Sequence, residues 1–517
     1  MHGMDCFMVH RFCSLFDSSF SQCFIAHPTR IFVYGLCITK TKLCLYRYDR
    51  CGILYSDWVN YREKHAHELV RALLIISSPD PAMLGFDETV VINKAGKHVF
   101  SMEQDGKLVK LTEVSLEWNC LSLTGRSTTC WKVINEDTKK GFLLKQQFVN
   151  IQRTPEHELL EEVKGIKGIV KVHFAQRIGK LMSELRGTIP PNFHDRFLYR
   201  MVVEEYGKSI KCVTDVLLLI KAMRDVITGI AQGGLYQQEV LHRDISANNI
   251  LYAKDPKNLR KDEGYGNLID FELSINPDRT TSLDGKDFRT GTHAFHSIRV
   301  LRSDPKTYHP GYLDDLESFF WVLVWILIRL FYPIDNTDEK RTKDSLKAQQ
   351  KVLDKFEDLP SMAADWKRGF LAQCSDQFIL NFIGSECDLE VVDFVEHLGA
   401  FFLQFVRLAE KRLPIPDDAN DHYKGVISLF DTAIDNLERA QSAPGLVANL
   451  NAASTHAPPP ASIQVEAPAI AVTQPQAKKG RSTKVMSEPR RSPRLQAGSS
   501  STSQPTQTSS DDFDRPA

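Results

Sequence analysis

Hydrophobic positions near the start of the chain follow two different periods. Residues 31–60 alternate between apolar and polar side chains, and a second alternating stretch covers residues 90–111. This period of two predicts β-strands. Residues 58–76 instead have the spacing of a helix, which the Ser- and Pro-containing segment 77–81 ends. The pattern therefore predicts a mixed β and α segment before residue 112.

A β-hairpin is the clearest element predicted further along. Residues 128–134 and 142–149 are strand-like runs that a polar turn joins. Residues 155–163 then have helical spacing, and residues 199–203 are predicted to form a short strand. The middle of the chain is therefore predicted to be rich in β-structure.

Two apolar patterns in the second half predict core helices. The first is a stripe at helical spacing, formed by Val213, Val216, Leu217, Ile220, Met223, Ile227 and Ile230. The second is an unbroken run of ten apolar residues at 319–328. A membrane span needs about 20 such residues, so this run predicts a buried helix and no transmembrane segment.

The composition changes near residue 441. Beyond it Pro, Ser, Ala, Thr and Gln dominate, and the segment is predicted to be disordered because it has too little apolar surface to bury. Within it, residues 478–494 contain seven basic residues and one Glu; the basic ones are Lys478, Lys479, Arg481, Lys484, Arg490, Arg491 and Arg494. Two interpretations stay open for this basic patch: a solvated linker, or a binding site for a nuclear import receptor or a polyanion.

The composition of the whole chain narrows the class of protein. The 517 residues are 42% hydrophobic and 25% charged with a net charge of −1, which indicates a globular protein without a global field for nucleic acid or membranes. The eleven cysteines include no Cys-x-x-Cys pair, which indicates reduced thiols and an intracellular location, nuclear or cytoplasmic. Residues 1–30 contain no clean signal peptide. Nothing in the sequence indicates an oligomeric state.

Two short strings carry the most specific chemistry. Leu-His-Arg-Asp-Ile-Ser-Ala-Asn-Asn-Ile-Leu occupies residues 241–251, and Leu-Ile-Asp-Phe-Glu occupies residues 268–272. They match the H-R-D-x-x-x-x-N and D-F-G strings of protein kinases in order and spacing. Phosphoryl transfer needs a carboxylate that accepts the proton of the attacking hydroxyl, and Asp244 fits that role. Asn249 and Asp270 offer the oxygen ligands that Mg²⁺ prefers.

Together with four other strings, these resemble the fungal-type protein kinase family, a divergent branch of the eukaryotic protein-kinase superfamily. The resemblance covers about residues 32–413. The other strings are Asp49-Arg50-Cys51-Gly52, Leu84-Gly85-Phe86-Asp87, Gly291-Thr292 and Asp314-Asp315-Leu316-Glu317-Ser318-Phe319-Phe320.

The resemblance implies a fold class and a set of domain boundaries. The fold is expected to be α+β and two-lobed, with a small β-rich N-lobe and a larger, mainly helical C-lobe. The expected segments are a leader of uncertain structure (1–30), a family-specific β/α segment (31–112), the N-lobe (113–205), the C-lobe (206–415), a C-terminal helix (416–440) and a disordered tail (441–517).

The resemblance also implies a catalytic set and its cofactors, ATP and Mg²⁺. Lys145 would hold the α- and β-phosphates of ATP. Glu156 would be its ion-pair partner, with Glu158 as the alternative. Lys145, Asp244 and Asn249 are thus the predicted catalytic residues.

Further cofactor contacts are implied around this set. Gly125 and Ser127 would approach the phosphates through their loop, and Glu204, followed by Glu205, would lie at the hinge that holds adenine. The residues expected to support the catalytic loop are His242, Arg243 and Asp315.

Four positions depart from the superfamily pattern. Gly125 is the single glycine where the phosphate loop has three, which reduces the freedom of that backbone. Glu272 replaces the glycine of D-F-G, and Ser246 replaces a lysine directed at the γ-phosphate. Arg299 replaces a glutamate that makes a buried ion pair, so that pair is lost unless its partner has also changed.

The leading hypothesis is an ATP- and Mg²⁺-dependent protein kinase, with Ser or Thr favoured over Tyr as the acceptor. One alternative is a pseudokinase that binds a nucleotide or a partner without transferring phosphate, which the departures favour. Another is a small-molecule phosphotransferase of the aminoglycoside or choline kinase type, since those enzymes have similar strings. The sequence does not identify the protein substrate.

Overall fold

The structure is a computed structural model, and it describes residues 20–442 apart from 121, 162, 188, 192, 234–239, 275–290, 305–306 and 336. The described residues belong to one of the two units into which the chain divides, Met1–Ala452. The fold is α+β, with a β-rich N-terminal region and a helical C-terminal region. The predicted disordered tail beyond residue 442, with its basic patch, lies outside the described residues, as do residues 1–19 of the predicted leader.

A four-stranded sheet opens the N-terminal region. Its strands are β1 (Phe32–Ile38), β2 (Lys42–Asp49), β3 (Gly52–Tyr55) and β4 (Val59–Asn60), and β2 pairs with each of the others. Helix α1, residues 20–26, packs Phe20 and Phe24 into the same core, where the Phe20 ring stacks on Tyr48. Residues 20–26 of the predicted leader therefore form a helix that packs against this sheet.

The helix predicted over residues 58–76 is shorter than its apolar spacing indicated. It forms α2 (Ala66–Ile76), whereas residues 59 and 60 form β4. Val59 pairs with Leu43 in β2. Pairing with a strand 16 residues earlier outweighs the local helical spacing at this position.

Seven antiparallel strands form the main sheet, in the order β10-β11-β9-β8-β7-β6-β5. The strands are β5 (Val90–Ile92), β6 (His98–Gln104), β7 (Lys107–Asn119), β8 (Thr129–Asn135), β9 (Gly141–Asn150), β10 (Val172–Leu181) and β11 (Arg196–Glu204). Helix α3 (Glu156–Glu161) follows β9, and α4 (Met182–Arg186) follows β10. The predicted hairpin is confirmed as β8 and β9.

Strand β7 crosses the boundary predicted between residues 112 and 113. It pairs with β6 from Lys107 to Thr112 and with β8 from Leu111 to Asn119. The sheet is continuous because successive residues of a strand point their N–H and C=O groups alternately to its two neighbours, so β7 can pair with β6 and β8 in the overlap. The predicted boundary therefore does not separate two sheets.

Two buried ion pairs connect the N-terminal segments to the main sheet. Asp49, the last residue of β2, accepts hydrogen bonds from Arg186 Nε at 2.7 Å and Arg186 Nη2 at 2.6 Å. Asp87 pairs with Arg200 in β11, whose Nε also donates to Gln146 Oε1 at 2.9 Å. Removing one partner would leave a buried charge alone, which is costly, so these pairs fix the N-terminal segments in place.

The C-terminal region is a set of helices beside a small sheet. The sheet contains β12 (Gly207–Ser209), β13 (Ile250–Ala253) and β14 (Gly266–Leu268). The helices are α5 (Val216–Gln232), α6 (Ile298–Arg302), α7 (Tyr312–Phe331), α8 (Glu339–Leu353), α9 (Pro360–Gln373), α10 (Asp376–Ile383), α11 (Leu389–Glu410) and α12 (Ala419–Ser442). The helix expected over 416–440 corresponds to α12.

Helix α7 lies in the middle of this core. Its side chains from Leu313 to Val324 are all buried, and so are those of residues 326–328. The core helix predicted over residues 319–328 is therefore confirmed. None of the helices in the described residues is long and apolar enough to cross a membrane.

Candidate active site

Lys145 lies at the centre of a buried cluster of charges. It projects from β9, between Cys130 of β8 and Met201 of β11. Its Nζ lies 2.5 Å from Glu156 Oε2 and 2.7 Å from Asp270 Oδ1. Burial acts against the charge of Lys145, but the two carboxylates raise its pKa above the usual value. The strand therefore presents a permanent cation between α3 and the turn at Asp270.

The turn at Asp270 is held by α3 and by the loop that contains His242. Asp270 has a φ of 67°, in the left-handed region that non-glycine residues adopt with strain. The Phe271 amide donates to Glu156 Oε1 at 2.9 Å, and the Phe271 ring packs edge-on against His242 with centroids 4.8 Å apart. Burial favours a neutral Asp270, yet Lys145 holds the pKa of its carboxyl below the usual value. Asp270 is therefore an anion at neutral pH.

Asp244 and Asn249 form one hydrogen-bonded unit in the loop between α5 and β13. Asp244 Oδ1 accepts hydrogen bonds from the Thr292 amide and hydroxyl, both at 2.8 Å. Asn249 Nδ2 donates to Asp244 Oδ2 at 3.0 Å and to the Asp244 carbonyl oxygen at 2.9 Å. The side chain predicted to be the base and one of the predicted metal ligands are thus adjacent.

Three residues support the backbone of this loop. Asp315, in the first turn of α7, accepts hydrogen bonds from the His242 amide at 2.7 Å and the Arg243 amide at 2.9 Å. Burial raises the pKa of Asp315 to about 6, against the effect of these donors. The His242 ring nitrogen Nε2 lies 3.1 Å from the Ile269 carbonyl oxygen. The structure brings His242, Arg243 and Asp315 together, as the resemblance implied.

Thr292 is a site residue to which the sequence assigned no role. Gly291 before it has a φ of 101°, and a Cβ there would lie 2.4 Å from the Arg243 carbonyl oxygen. Only glycine allows so close an approach, which brings both Thr292 donors to Asp244. The available signal was the string Gly291-Thr292, whose contact with a residue 48 positions earlier is not visible in the sequence.

A model of the fungal protein kinase family matches residues 11–189 and 179–327. The chain belongs to the fungal protein kinase family. The search of curated proteins found no match. Membership of this family supports a kinase-like function for the site just described.

In this member of the fungal protein kinase family, the predicted phosphate loop is tied to the N-terminal sheet. Arg50 Nη1 donates to the carbonyl oxygens of Ser122 and Leu123 at 3.1 and 3.2 Å, and the Gly125 amide donates to the Arg50 carbonyl oxygen at 2.9 Å. Gly125 has a φ of 93°, and a Cβ there would meet nothing within 4 Å, so this side of the backbone is open. Sequence reasoning missed the role of Arg50, although its string belongs to the family resemblance.

Ser127 faces the protein. Its side chain is buried, its φ is 46°, and its hydroxyl donates to the Ser122 carbonyl oxygen at 3.2 Å. These contacts hold the loop in shape. Direct contact of Gly125 or Ser127 with phosphate stays a prediction.

Glu272, one of the two charged departures, meets a residue of the glycine-poor loop. Arg126 Nη1 lies 3.1 Å from Glu272 Oε2, although the sequence separates the two residues by 146 positions. Burial raises the pKa of the Glu272 carboxyl, and Arg126 acts in the opposite direction. The glutamate in the position of the D-F-G glycine is thus matched by an arginine from the glycine-poor loop.

The second charged departure, Arg299, also has a partner. Arg299 Nη2 lies 3.2 Å from Asp314 Oδ2, which the Tyr308 hydroxyl approaches as well, at 2.8 Å. The glutamate two residues after Asp315, Glu317, accepts hydrogen bonds from the Ile298 amide at 2.8 Å and from Trp321 Nε1 at 2.9 Å. The ion pair expected at this position is therefore replaced by one of opposite polarity.

The predicted hinge residues hold other side chains. Glu204 lies at the end of β11, where its amide donates to the Lys171 carbonyl oxygen and its carboxylate accepts from Arg260 Nη1 at 2.9 Å. Glu205 pairs with Lys132 at 2.7 Å. The carboxylates are thus occupied by protein contacts, and contact with adenine through the backbone of this segment stays a prediction.

Proposed function

We propose that this protein is an ATP- and Mg²⁺-dependent protein kinase that phosphorylates Ser or Thr residues. In this proposal the main sheet is the N-lobe and the helical region is the C-lobe. The observation that carries it is the ion-pair chain Glu156–Lys145–Asp270 beside the Asp244–Asn249 unit. A strand lysine, a helix glutamate and a metal-binding carboxylate must meet in this way for kinase activity.

The donor set suits the cofactors. Asp270 and Asn249 offer carboxylate and amide oxygens, which a hard cation such as Mg²⁺ prefers, and Lys145 offers a cation to the phosphates of ATP. Bound Mg²⁺ would neutralise charge on the phosphates. The open side of Gly125 gives the loop backbone room to approach them.

The residues of the chain then have separable tasks in the transfer. The acceptor hydroxyl oxygen forms a bond to the γ-phosphorus, and the bond from that phosphorus to the β–γ bridging oxygen breaks. The hydroxyl proton passes to Asp244, and ADP leaves with the electron pair of the broken bond. Thr292 and Asn249 orient the Asp244 carboxylate through the contacts at Oδ1 and Oδ2.

A pseudokinase is the second candidate, and one observation favours it. Glu272 places a buried carboxylate next to the metal-binding turn, where kinases have glycine. An additional anion opposes the binding of phosphates unless its charge is neutralised. Arg126 lies within ion-pair distance of this carboxylate.

The deciding experiment is phosphate transfer from labelled ATP with Mg²⁺ to a library of Ser, Thr and Tyr peptides, beside aminoglycosides and choline. Labelling of Ser or Thr peptides is the expected result. Labelling of the small molecules alone would identify a small-molecule phosphotransferase. Nucleotide binding without any transfer would identify a pseudokinase.

Asp270→Asn is expected to remove most of the effect of Mg²⁺ on nucleotide affinity, because it deletes an anionic metal ligand. Calorimetric titration of ATP with and without Mg²⁺ measures this. The matched control is Asp262→Asn, a change to an exposed carboxylate that pairs with Lys171. If Mg²⁺ does not alter the ATP affinity of the parent protein, Asp270 is not a metal ligand.

Arg50→Met is expected to raise the KM for ATP roughly tenfold, because the phosphate loop loses its anchor and precise positioning of reacting groups is sensitive to small shifts. The lost hydrogen bonds to Ser122 and Leu123 should also lower the free energy of unfolding by about 1.5–3 kcal/mol. Steady-state kinetics and denaturant unfolding give the two quantities.

The matched control for Arg50 is Arg47→Met, three residues earlier in β2. Arg50 lies over the Phe24 ring, and Arg47 likewise lies over the Phe32 ring. Arg47 donates to the Leu185 carbonyl oxygen at 2.8 Å, away from the loop. It should lower stability and leave the KM for ATP unchanged. An equal rise in KM for both variants would contradict a specific role of Arg50 in the loop.

A further inference from the structure

The catalytic loop has no lysine where kinases direct one at the γ-phosphate. Ser246 occupies that position; its side chain is buried, and its hydroxyl has no hydrogen-bond partner among the described residues. Lys145 does not substitute for it, because its assigned partners are the α- and β-phosphates, and Glu156 and Asp270 fix its ammonium at 2.5 and 2.7 Å on that side of the site. The site therefore needs a second cation if it stabilises charge on the phosphate in transfer.

Arg126 is placed to be that cation. It lies between Gly125 and Ser127, at the tip of a loop whose backbone is fixed by hydrogen bonds on both sides of it. Its own carbonyl oxygen accepts a hydrogen bond from the Phe148 amide at 2.8 Å. The backbone is thus held while the guanidinium extends into the site.

The charges around Arg126 indicate which part of the site it faces. Burial would lower its pKa, but Glu272, Asp270 and Asp244 together raise it. Asp270 is the predicted metal ligand and Asp244 the predicted base. The phosphoryl group passes from ADP to the acceptor hydroxyl beside Asp244. Arg126 pairs with Glu272, two residues after Asp270, so its guanidinium lies near that path.

The ion pair with Glu272 is one that can be exchanged. The Arg126 side chain is 40% exposed, whereas that of Glu272 is 5% exposed. Although Arg126 Nη1 lies 3.1 Å from Glu272 Oε2, that oxygen has no aligned hydrogen-bond donor among the described residues. Phosphate oxygens offer a guanidinium two aligned hydrogen bonds and a stronger charge than this loose pair.

We propose that Arg126 contacts the γ-phosphate of bound ATP and supplies the positive charge that Ser246 does not. Glu272 holds the guanidinium near the site when no nucleotide is bound. In this arrangement Arg126 and Glu272 together compensate for the lysine that Ser246 replaces. The inference rests on the proposed kinase function.

A simpler role for Arg126 would be to neutralise Glu272 and nothing more. The two roles differ once the carboxylate is removed. With Glu272→Gln as the starting protein, a counter-ion has nothing left to neutralise, whereas a phosphate contact keeps its full effect. The decisive comparison in the double-mutant cycle is therefore between Glu272→Gln and the double variant Arg126→Ala/Glu272→Gln.

The experiment measures ATP and ADP affinity with Mg²⁺ by calorimetry, and kcat by phosphate transfer to a peptide. In the Glu272→Gln background, Arg126→Ala is expected to weaken ATP binding about tenfold, leave ADP binding within about twofold, and lower kcat on the order of 10²-fold, since only ATP carries the contacted phosphate. Arg126→Lys should recover part of kcat. Arg177→Ala, at an exposed position of β10, is the control.

Three results would overturn the inference. The first is an equal loss of ATP and ADP affinity on Arg126→Ala in the Glu272→Gln background, which means a structural role for the loop. The second is a double variant that matches Glu272→Gln in kcat and ATP affinity, which means a counter-ion role. The third is a parent protein that binds no ATP, which removes the proposed function as well. The first two leave the proposed function intact.

Discussion

Asp244→Asn is expected to transfer phosphate ~10²–10⁴ times more slowly than the parent protein, because it removes a positioned general base. The carboxylate lies between Thr292 and Asn249, whose donors fix both of its oxygens. An amide cannot accept the proton of the acceptor hydroxyl. Single-turnover transfer of labelled phosphate to a peptide measures the loss.

Asp244→Asn also disturbs Asn249. An amide nitrogen would replace Asp244 Oδ2, which accepts the hydrogen bond from Asn249 Nδ2. The Asn249 donor keeps the Asp244 carbonyl oxygen at 2.9 Å, so ATP affinity with Mg²⁺ should change little. Thr292→Val is the matched control: it deletes one donor to Asp244 and leaves the base, so its loss should be much smaller. Equal activity of Asp244→Asn and the parent would remove the claim that Asp244 is the base.

Leu323→Asp is expected to prevent folding and yield insoluble protein. Leu323 is 0% exposed in the centre of α7. Burying an unpaired carboxylate there, together with the loss of apolar packing, should cost more than about 4–5 kcal/mol. That is comparable to the whole stability of many proteins, about 5–15 kcal/mol. Solubility on expression and the circular dichroism of any soluble fraction provide the measurement.

The matched control is Leu346→Asp on α8, where the leucine is 48% exposed. That variant should remain soluble and folded. A soluble, cooperatively folded Leu323→Asp protein would show that α7 is peripheral and would contradict the burial of Leu323.

The sequence by itself determined the elements whose pattern is local. The hairpin β8–β9 follows from two strand-like runs and a polar turn, and α7 from a continuous apolar run too short for a membrane. The family and the order of its strings were also readable, because those strings are short and contiguous. The positions of Lys145, Asp244, Asn249 and Asp270 follow from such strings, and their catalytic roles stay predictions.

Only the tertiary structure decided which of these residues meet. The start of α2 and the contacts of Arg50 and Thr292 depend on partners between 16 and 75 positions away. The passage of β7 across an expected boundary depends on its pairing with strands on both sides. The pairing of Arg126 with Glu272 spans 146 positions. Local periodicity predicts which face of a helix or strand is buried, but it does not predict which other residues pack against that face. Each departure therefore looked like a separate loss in the sequence, whereas folding brings Arg126 to Glu272 and Arg299 to Asp314, because a buried charge is stable only beside its partner.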